Sequence, residues 1–417
     1  MSTTAAAARR SGTRRSSPIA AAIRSLLAKP LTSYYLVTGT SVLLLGFGLM
    51  MVLSASSVTS YTSSGSSFAI AEKQALWVAI GLPVLWFGSR LPTRAYRALG
   101  YPLLLGSLAL LVLVLLPGVG VNVSGATRWI ALPGGIQFQP AELAKLALVL
   151  WGADLLARKE KRLGQTKHLL IPLLPGFLLM ALLVMAQPDM GTTVVLAVVT
   201  MALLFTAGAP LRVFGQLAAV GAGIGLLLAV TEPYRLRRLV GFRDPCASHN
   251  ALGIGYQACQ GLYALSSGGW FGVGLGASRE KFGYLPNQYT DYIFAIIGEE
   301  LGLLGTFVVL GLFALLGYAG IRIAQRCTDR FSQLAAVAIT AWLLGQALVN
   351  LGAVVGLLPI TGIPLPLVSF GGSALVPEML AIGMLVSFAR REPGAAAALA
   401  ARRADRMRAL PRVIRSR

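Results

Sequence analysis

The chain has 417 residues, 56% of them hydrophobic and only 12% charged, with a mean hydropathy of +0.72. Soluble domains carry about 25% charged residues, so the composition excludes a soluble fold and predicts an all-α integral membrane protein. The net charge of +21 flanks apolar segments instead of covering a folded surface, which excludes nucleic acid as a partner. Two His and three Cys are too few for a four-ligand zinc site of the usual spacing. No Gly is followed by Lys, so no phosphate-binding P-loop exists.

Residues 1–30 form a basic tail with six Arg and Lys and no acid. The apolar stretch Leu31–Leu53 behind it is longer than the core of a secretory signal, so it is expected to stay as a first span. A helix crossing the hydrocarbon needs roughly 20 apolar residues. Ten segments qualify, at about 31–54, 75–90, 98–116, 140–157, 168–187, 189–207, 211–230, 291–321, 332–357 and 367–389. A second basic tail, 391–417, closes the chain. With the N-terminus inside, 27 Arg and Lys fall on cytoplasmic segments and eight on outer ones, which predicts both termini in the cytoplasm. The cytoplasmic loops are too short for a catalytic domain. The outer loop at about 231–290 is long and rich in Gly, Tyr and Trp, so chemistry is expected on the outer side.

Ionisable residues within or beside spans are costly and are functional candidates by default. In chain order, Arg128 sits in an outer loop, and Glu142 and Lys145 follow at i,i+3 spacing in the fourth span. A buried Lys needs an acidic partner, so Lys145 is expected to pair with Glu142 or Glu299 unless it meets substrate directly. Asp189 and Glu142 both follow a Pro at a helix start, where capping accounts for them. In the long loop, Arg235, Arg237, Arg238, Arg279 and Lys281 suit an anionic ligand, since guanidinium forks pair with phosphate oxygens; attraction to lipid headgroups is the alternative. Cys246 and Cys259 lie 13 residues apart in that loop and are expected to form a disulfide on the oxidising side, whereas Cys327 is expected to be free. The glycines of the seventh span, Gly215, Gly221, Gly223 and Gly225, predict close helix contact.

Asp291 opens the eighth span, and Glu299 and Glu300 lie about 12–14 Å deeper along a helix. A carboxylate at the outer surface beside a basic loop can act as a general base when burial lifts its pKa. A helix N-terminal carboxylate held by the macrodipole is the structural alternative.

Five ordered stretches resemble one family. They are Ser124–Ile130 with Gln139–Lys145, Gln187–Thr193, Tyr234–Arg238 with Phe242–Pro245, Leu285–Gly302, and Gly356–Pro366 with Ser369–Ser373. Together they resemble the SEDS family (shape, elongation, division and sporulation) over roughly residues 34–390. The glycine-rich run Gly268–Gly276 is more similar to the division branch than to the elongation branch.

The resemblance implies ten transmembrane helices and a glycosyltransferase that polymerises lipid II at the outer face of the bacterial cytoplasmic membrane, at the septum. It implies a class B penicillin-binding protein and other division proteins as partners. It also implies that Asp291 is the essential acid. From their own chemistry, Arg128, Lys145, Arg235, Arg238, Arg279 and Lys281 are expected to meet the substrate, and Glu142, Asp189, Glu299 and Glu300 to support the cavity. No cofactor held by protein ligands is expected; a divalent cation, Mg²⁺ or Mn²⁺, would come with the substrate pyrophosphate. Three positions depart from the family pattern: Asn287, Phe370 and Glu378. A lipid II flippase, a scaffold for the penicillin-binding protein and an elongation or sporulation paralogue remain as rivals.

Overall fold

The structure is a computed structural model, describing residues 29–123, 125–133, 136–162, 166–231, 244–247, 250, 253 and 255–409. Helices stand at all ten positions where hydropathy places spans: α1 (Thr32–Ser64), α2 (Ala69–Gly88), α3 (Thr93–Leu115), α4 (Pro140–Arg158), a short α5 (Thr166–Leu170) leading into α6 (Leu173–Met185), α7 (Met190–Ala207), α8 (Leu211–Thr231), α10 (Ile293–Arg326), α11 (Arg330–Val354) and α12 (Gly372–Ala389). Eight of the described helical segments are long and apolar enough to cross a membrane. The protein is thus an all-α integral membrane protein.

Local chemistry sets the helix ends. Pro140 opens α4 at a position where its missing N–H costs nothing, with Glu142 in the first turn. Asp189 caps α7, accepting from Thr192 N, and Asp329 caps α11 through Ser332 N. α4 is the central helix, buried along nearly its whole length and packed against α3, α7, α11 and α12. That position explains its sequence: Glu142, Lys145 and Asp154 would be ruinous facing lipid and are tolerated inside the bundle. At one end Asp154, fully buried, accepts from Arg97 Nε at 2.7 Å and Arg158 Nε at 2.6 Å.

Three features depart from the sequence reading. The loop before α4 folds into an antiparallel sheet, β1 (Gly120–Val123), β2 (Ala126–Leu132) and β3 (Ile136–Phe138), with a register shift between Val121 and Asn122 in the pairing of β1 with β2. Three of the seventh-span glycines do not make close contacts: a Cβ at Gly215, Gly221 or Gly223 would meet nothing within 4 Å. And α10 is broken at Gly302, which adopts φ 65° and ψ −163°.

That break has a partner. Past α9 (Tyr256–Ser267), the segment 269–274 feeds its backbone into the gap. Leu303 N and Leu304 N donate to the carbonyls of Gly269 and Trp270 at 2.9 and 3.2 Å, and Val273 N and Gly274 N donate to Glu299 O and Glu300 O at 2.9 and 3.0 Å. The helix groups freed by the break are therefore satisfied by protein, as the bilayer requires. Cys246 is joined to Cys259 of α9 by a disulfide. Cys327 is free, its thiol pushed up to about 12 by burial and then by Asp329 and Glu392. After α12 the chain continues as α13 (Ala395–Ala409), whose Arg402 stacks on Tyr35 at the start of α1.

Gly302 occupies a backbone region open essentially to Gly alone, and a Cβ there would collide with the Gly272 amide nitrogen. Gly302→Ala should cost about 1–3 kcal/mol or more and lower the unfolding temperature in detergent. Gly311→Ala, on the same helix with nothing within 4 Å, should leave it unchanged.

Candidate active site

Asp291 lies in the turn before α10, outside the helix, and its neighbours fix it from two directions. Asn350 of α11 donates from Nδ2 to Asp291 O and to Ile363 O, each at 2.7 Å. The second contact belongs to a non-helical segment, 355–371, that joins α11 to α12. The same segment is stitched to the Asp291 turn by Ser369 Oγ on Thr290 O at 2.6 Å and by Phe370 N on Tyr289 O at 2.9 Å. Phe370 also meets the Tyr289 ring edge-on at 5.7 Å, so the missing hydroxyl relative to the family's usual Tyr leaves the packing contact in place. Asn287 adopts φ 56°, a conformation Asn tolerates, and its carbonyl accepts from Thr290 N and Tyr292 N at 3.1 Å.

Arg128, carried on β2, faces this turn. Its Nε donates to Gln187 O at 3.3 Å and its Nη2 to Pro188 O, while Nη1 lies 4.0 Å from Asp189 Oδ1. Asp189 is otherwise occupied by Thr192 N at 3.0 Å, Thr192 Oγ1 at 2.8 Å and Gln139 Nε2 at 3.1 Å. Between the two charged groups sits Gly362, with φ 70°. A Cβ there would stand 3.6 Å from Asp291 Oδ2 and 3.9 Å from Arg128 Nη1, so the absent side chain leaves a notch between carboxylate and guanidinium. Asp291 keeps partial contact with solvent. Burial pushes its carboxyl up to about 6; Arg128 pulls it down and Asp189 pushes it up.

Beneath the notch lies a closed polar network. Lys145 Nζ is 2.8 Å from Glu142 Oε2, donates to Gln346 Oε1 at 2.7 Å and stands over the Trp342 ring at 5.2 Å. Gln346 Nε2 passes the connection to Pro364 O at 3.0 Å and Glu378 Oε1 at 3.1 Å. Glu378 Oε2 accepts from Leu367 N at 3.0 Å, holding a residue whose φ of 62° is rare outside Gly.

The remaining sequence-predicted residues divide by burial. Lys145 is fully buried with its ammonium engaged, and of the two acidic partners expected for it the structure supplies Glu142. Glu299 accepts from Ser278 Oγ at 2.5 Å and Arg279 N at 2.9 Å, fastening the segment before α10 to that helix. Lys281 is also buried. It donates to Gly276 O at 2.5 Å and lies 3.5 Å from Glu300 Oε1, where Ser54 Oγ of α1 also binds at 2.6 and 2.7 Å. Both ammonium groups are thus buried and engaged by protein oxygens. Arg279 is exposed. Arg235 and Arg238 lie outside the described residues. Sequence reasoning missed Gly362, Asn350 and Gln346, although two amides at i,i+4 spacing within an apolar span were a usable signal.

The arrangement defines a polytopic helical protein with a carboxylate, a fixed guanidinium and an open notch at one end of its bundle. Residues 35–393 match the family of cell cycle proteins that takes in FtsW, RodA and SpoVE. The chain is 44% identical to the probable peptidoglycan glycosyltransferase FtsW of Mycobacterium tuberculosis over 388 residues, covering 93% of this chain and 73% of the relative. It is 39% identical to stage V sporulation protein E of Bacillus subtilis, over 84% of this chain and 95% of that one. Among solved structures, a chain from a peptidoglycan synthase complex coordinating polymerization and crosslinking aligns with a TM-score of 0.70 at 27% identity, covering 85% and 96% of the two chains. The protein belongs to this family, the SEDS family of its motifs, and is similar in particular to the FtsW members.

Two predictions follow the geometry. Carbodiimide modifies protonated carboxyls, so labelling of Asp291, read by mass spectrometry, should fall with rising pH around 6. Arg128→Gln removes a cation that favours the ionised carboxylate and should move that midpoint upward, whereas Asp189→Asn should move it down. Removing one member of a buried pair costs about 3–5 kcal/mol. Lys145→Met should accordingly lower the unfolding temperature sharply, and a second change, Glu142→Leu, should recover part of the loss.

Proposed function

We propose that the protein is a peptidoglycan glycosyltransferase that polymerises lipid II at the outer face of the cytoplasmic membrane during septal wall synthesis. The observation that carries this reading is Asp291, a carboxyl lifted toward neutrality beside Arg128 across an open notch. The names of the relatives support the activity, and the 27 to 8 division of Arg and Lys supports placing the notch outside.

In this reading Asp291 takes the proton of the acceptor sugar's 4-hydroxyl as that oxygen attacks the anomeric carbon of the donor. The bond from the anomeric carbon to the pyrophosphate oxygen breaks, and undecaprenyl pyrophosphate leaves with its electron pair. Attack opposite the leaving group turns an α-linked donor into a β-linkage. Arg128, with exposed Arg279 and with Arg235 and Arg238 from the loop, would offset the charge on the departing pyrophosphate. Asp189 has its oxygens filled by Thr192 and Gln139, which favours carrying any Mg²⁺ or Mn²⁺ on the pyrophosphate over a protein cage. A class B penicillin-binding protein would cross-link the product. The burial of Glu142, Lys145 and Glu378 below the notch favours an enzyme over a flippase, which needs a polar path through both leaflets.

Polymerisation of labelled lipid II, with the partner's cross-linking serine blocked, tests the assignment. Asp291→Asn should lose roughly 10²–10⁴ in rate with an unchanged unfolding temperature. Because the base must be ionised, wild-type activity should rise with pH through about 6 and then level. Equal activity from the variant would remove Asp291 from the mechanism.

A further inference from the structure

The bundle end opposite Asp291 carries a second charged site of the opposite kind. Here α2 ends at Gly88 and α12 at Ala389, and the two helices run in close contact, Gly383 packing directly against Leu85 O. Where they part, a cavity of about 310 Å³ opens, walled by Ser89, Arg90, Ser387, Arg390, Arg391 and, from α13, Leu399.

Three guanidiniums line this cavity and, among the described residues, no carboxylate does. The contrast with neighbouring cations is informative. Arg97 and Arg158 share Asp154, and Arg326 is 2.6 Å from Glu392. Arg390 and Arg391 instead use one nitrogen each on backbone oxygens, Nη1 on Ser89 O at 3.2 Å and Nη2 on Leu91 O at 2.6 Å. Each contact fixes a guanidinium and leaves most of its five N–H donors for another acceptor. Arg90 is exposed and lies flat on the Trp86 ring at 3.8 Å. Three preorganised forks with no counter-charge among the described residues make a site for a phosphate group.

The surroundings specify which kind of phosphate. Leu82, Trp86 and Phe87, on the lipid side of α2, are exposed by 48, 47 and 62%. A Trp at the end of an apolar helix with Arg behind it marks the headgroup level of a bilayer. A ligand filling this site would place an anion among the arginines and apolar chain along α2. We infer that the cavity binds an anionic glycerophospholipid of the phosphatidylglycerol class, its phosphodiester held by Arg90, Arg390 and Arg391. The placement at the end that carries both basic tails puts this lipid in the cytoplasmic leaflet. The inference does not depend on the chemistry of Asp291, and its test does not measure polymerisation.

The test uses the delipidated full-length protein in detergent, titrated with phosphatidylglycerol, phosphatidylcholine or inorganic phosphate and observed by native mass spectrometry. Phosphatidylglycerol should be retained in preference to phosphatidylcholine, and inorganic phosphate should not displace it. A juxtamembrane cation contributes about 1 kcal/mol toward an anionic lipid, so each charge removed should weaken retention roughly five-fold. Arg90→Gln should show one such step and Arg90→Gln with Arg391→Gln two. Arg94→Gln, a basic exposed position outside the cavity, should show none. Since Arg391 also braces the backbone, Arg90→Gln alone decides the matter if the double variant fails to fold. Equal retention of both lipids, retention unchanged by Arg90→Gln, or displacement by inorganic phosphate would each overturn the inference.

Discussion

The ammonium of Lys145 governs much of this structure. In an apolar bundle a cation has no water to fall back on, and its desolvation must be met by protein groups at close range. Here Glu142 and Gln346 meet it, which ties α4 to α11. Gln346 then spends its own N–H groups on Pro364 O and Glu378, and Glu378 holds Leu367 N. Three helices and the segment 355–371 are thus fixed by one connected set of polar contacts, none of which has an alternative partner in hydrocarbon. Glu378, unusual for the family at that position, takes its place in this set as an acceptor for two donors.

The consequence appears one turn of α11 away. Asn350 stands four residues beyond Gln346, and it clamps Asp291 O to Ile363 O. The segment braced from below by Gln346 and Glu378 therefore becomes the wall against which Asp291 is set, with Gly362 at its lip. Arg128 arrives from the opposite side, its orientation fixed by the carbonyls of Gln187 and Pro188 rather than by a full ion pair. At 4.0 Å from Asp189 it remains only partly neutralised. A guanidinium held by neutral acceptors keeps its charge available, and a carboxyl next to it but largely buried keeps a proton to near-neutral pH. Both are conditions for acid–base work at a membrane surface.

What was legible in the sequence follows the strength of each physical signal. Hydropathy located ten helices because the demand for apolar length is severe, and the Glu142–Lys145 spacing gave a partner because residues three apart share a helix face. Asp189 was readable as a cap from Pro188 and the helix behind it. The hairpin 120–138 was not, because three to seven residues bounded by turns carry little periodicity. Nor could composition say which way Lys281 turns: a basic residue in a loop looks the same whether it points outward to solvent or inward to Gly276 O and Glu300. The break at Gly302 was hidden for a related reason, since its cause is the backbone of 269–274, about 30 residues away in sequence. The open face of Gly215, Gly221 and Gly223 shows that a small-residue pattern permits close packing without requiring it.

The two ends of the bundle handle charge by opposite rules. At the Asp291 end, carboxylate and guanidinium face each other across a notch, so a proton or a developing negative charge can be accommodated at low cost during a reaction. At the tail end, Asp154 and Glu392 absorb Arg97, Arg158 and Arg326, which locks helices together. Arg90, Arg390 and Arg391 lie outside that accounting, fixed by backbone carbonyls and an indole face. A cluster of cations with no acidic partner among the described residues has donors free for an anion from outside the chain, and at this depth the abundant anion is the lipid headgroup. Both ends use the same device: neutral oxygens orient a guanidinium and leave its charge unspent for a partner that the chain does not itself supply.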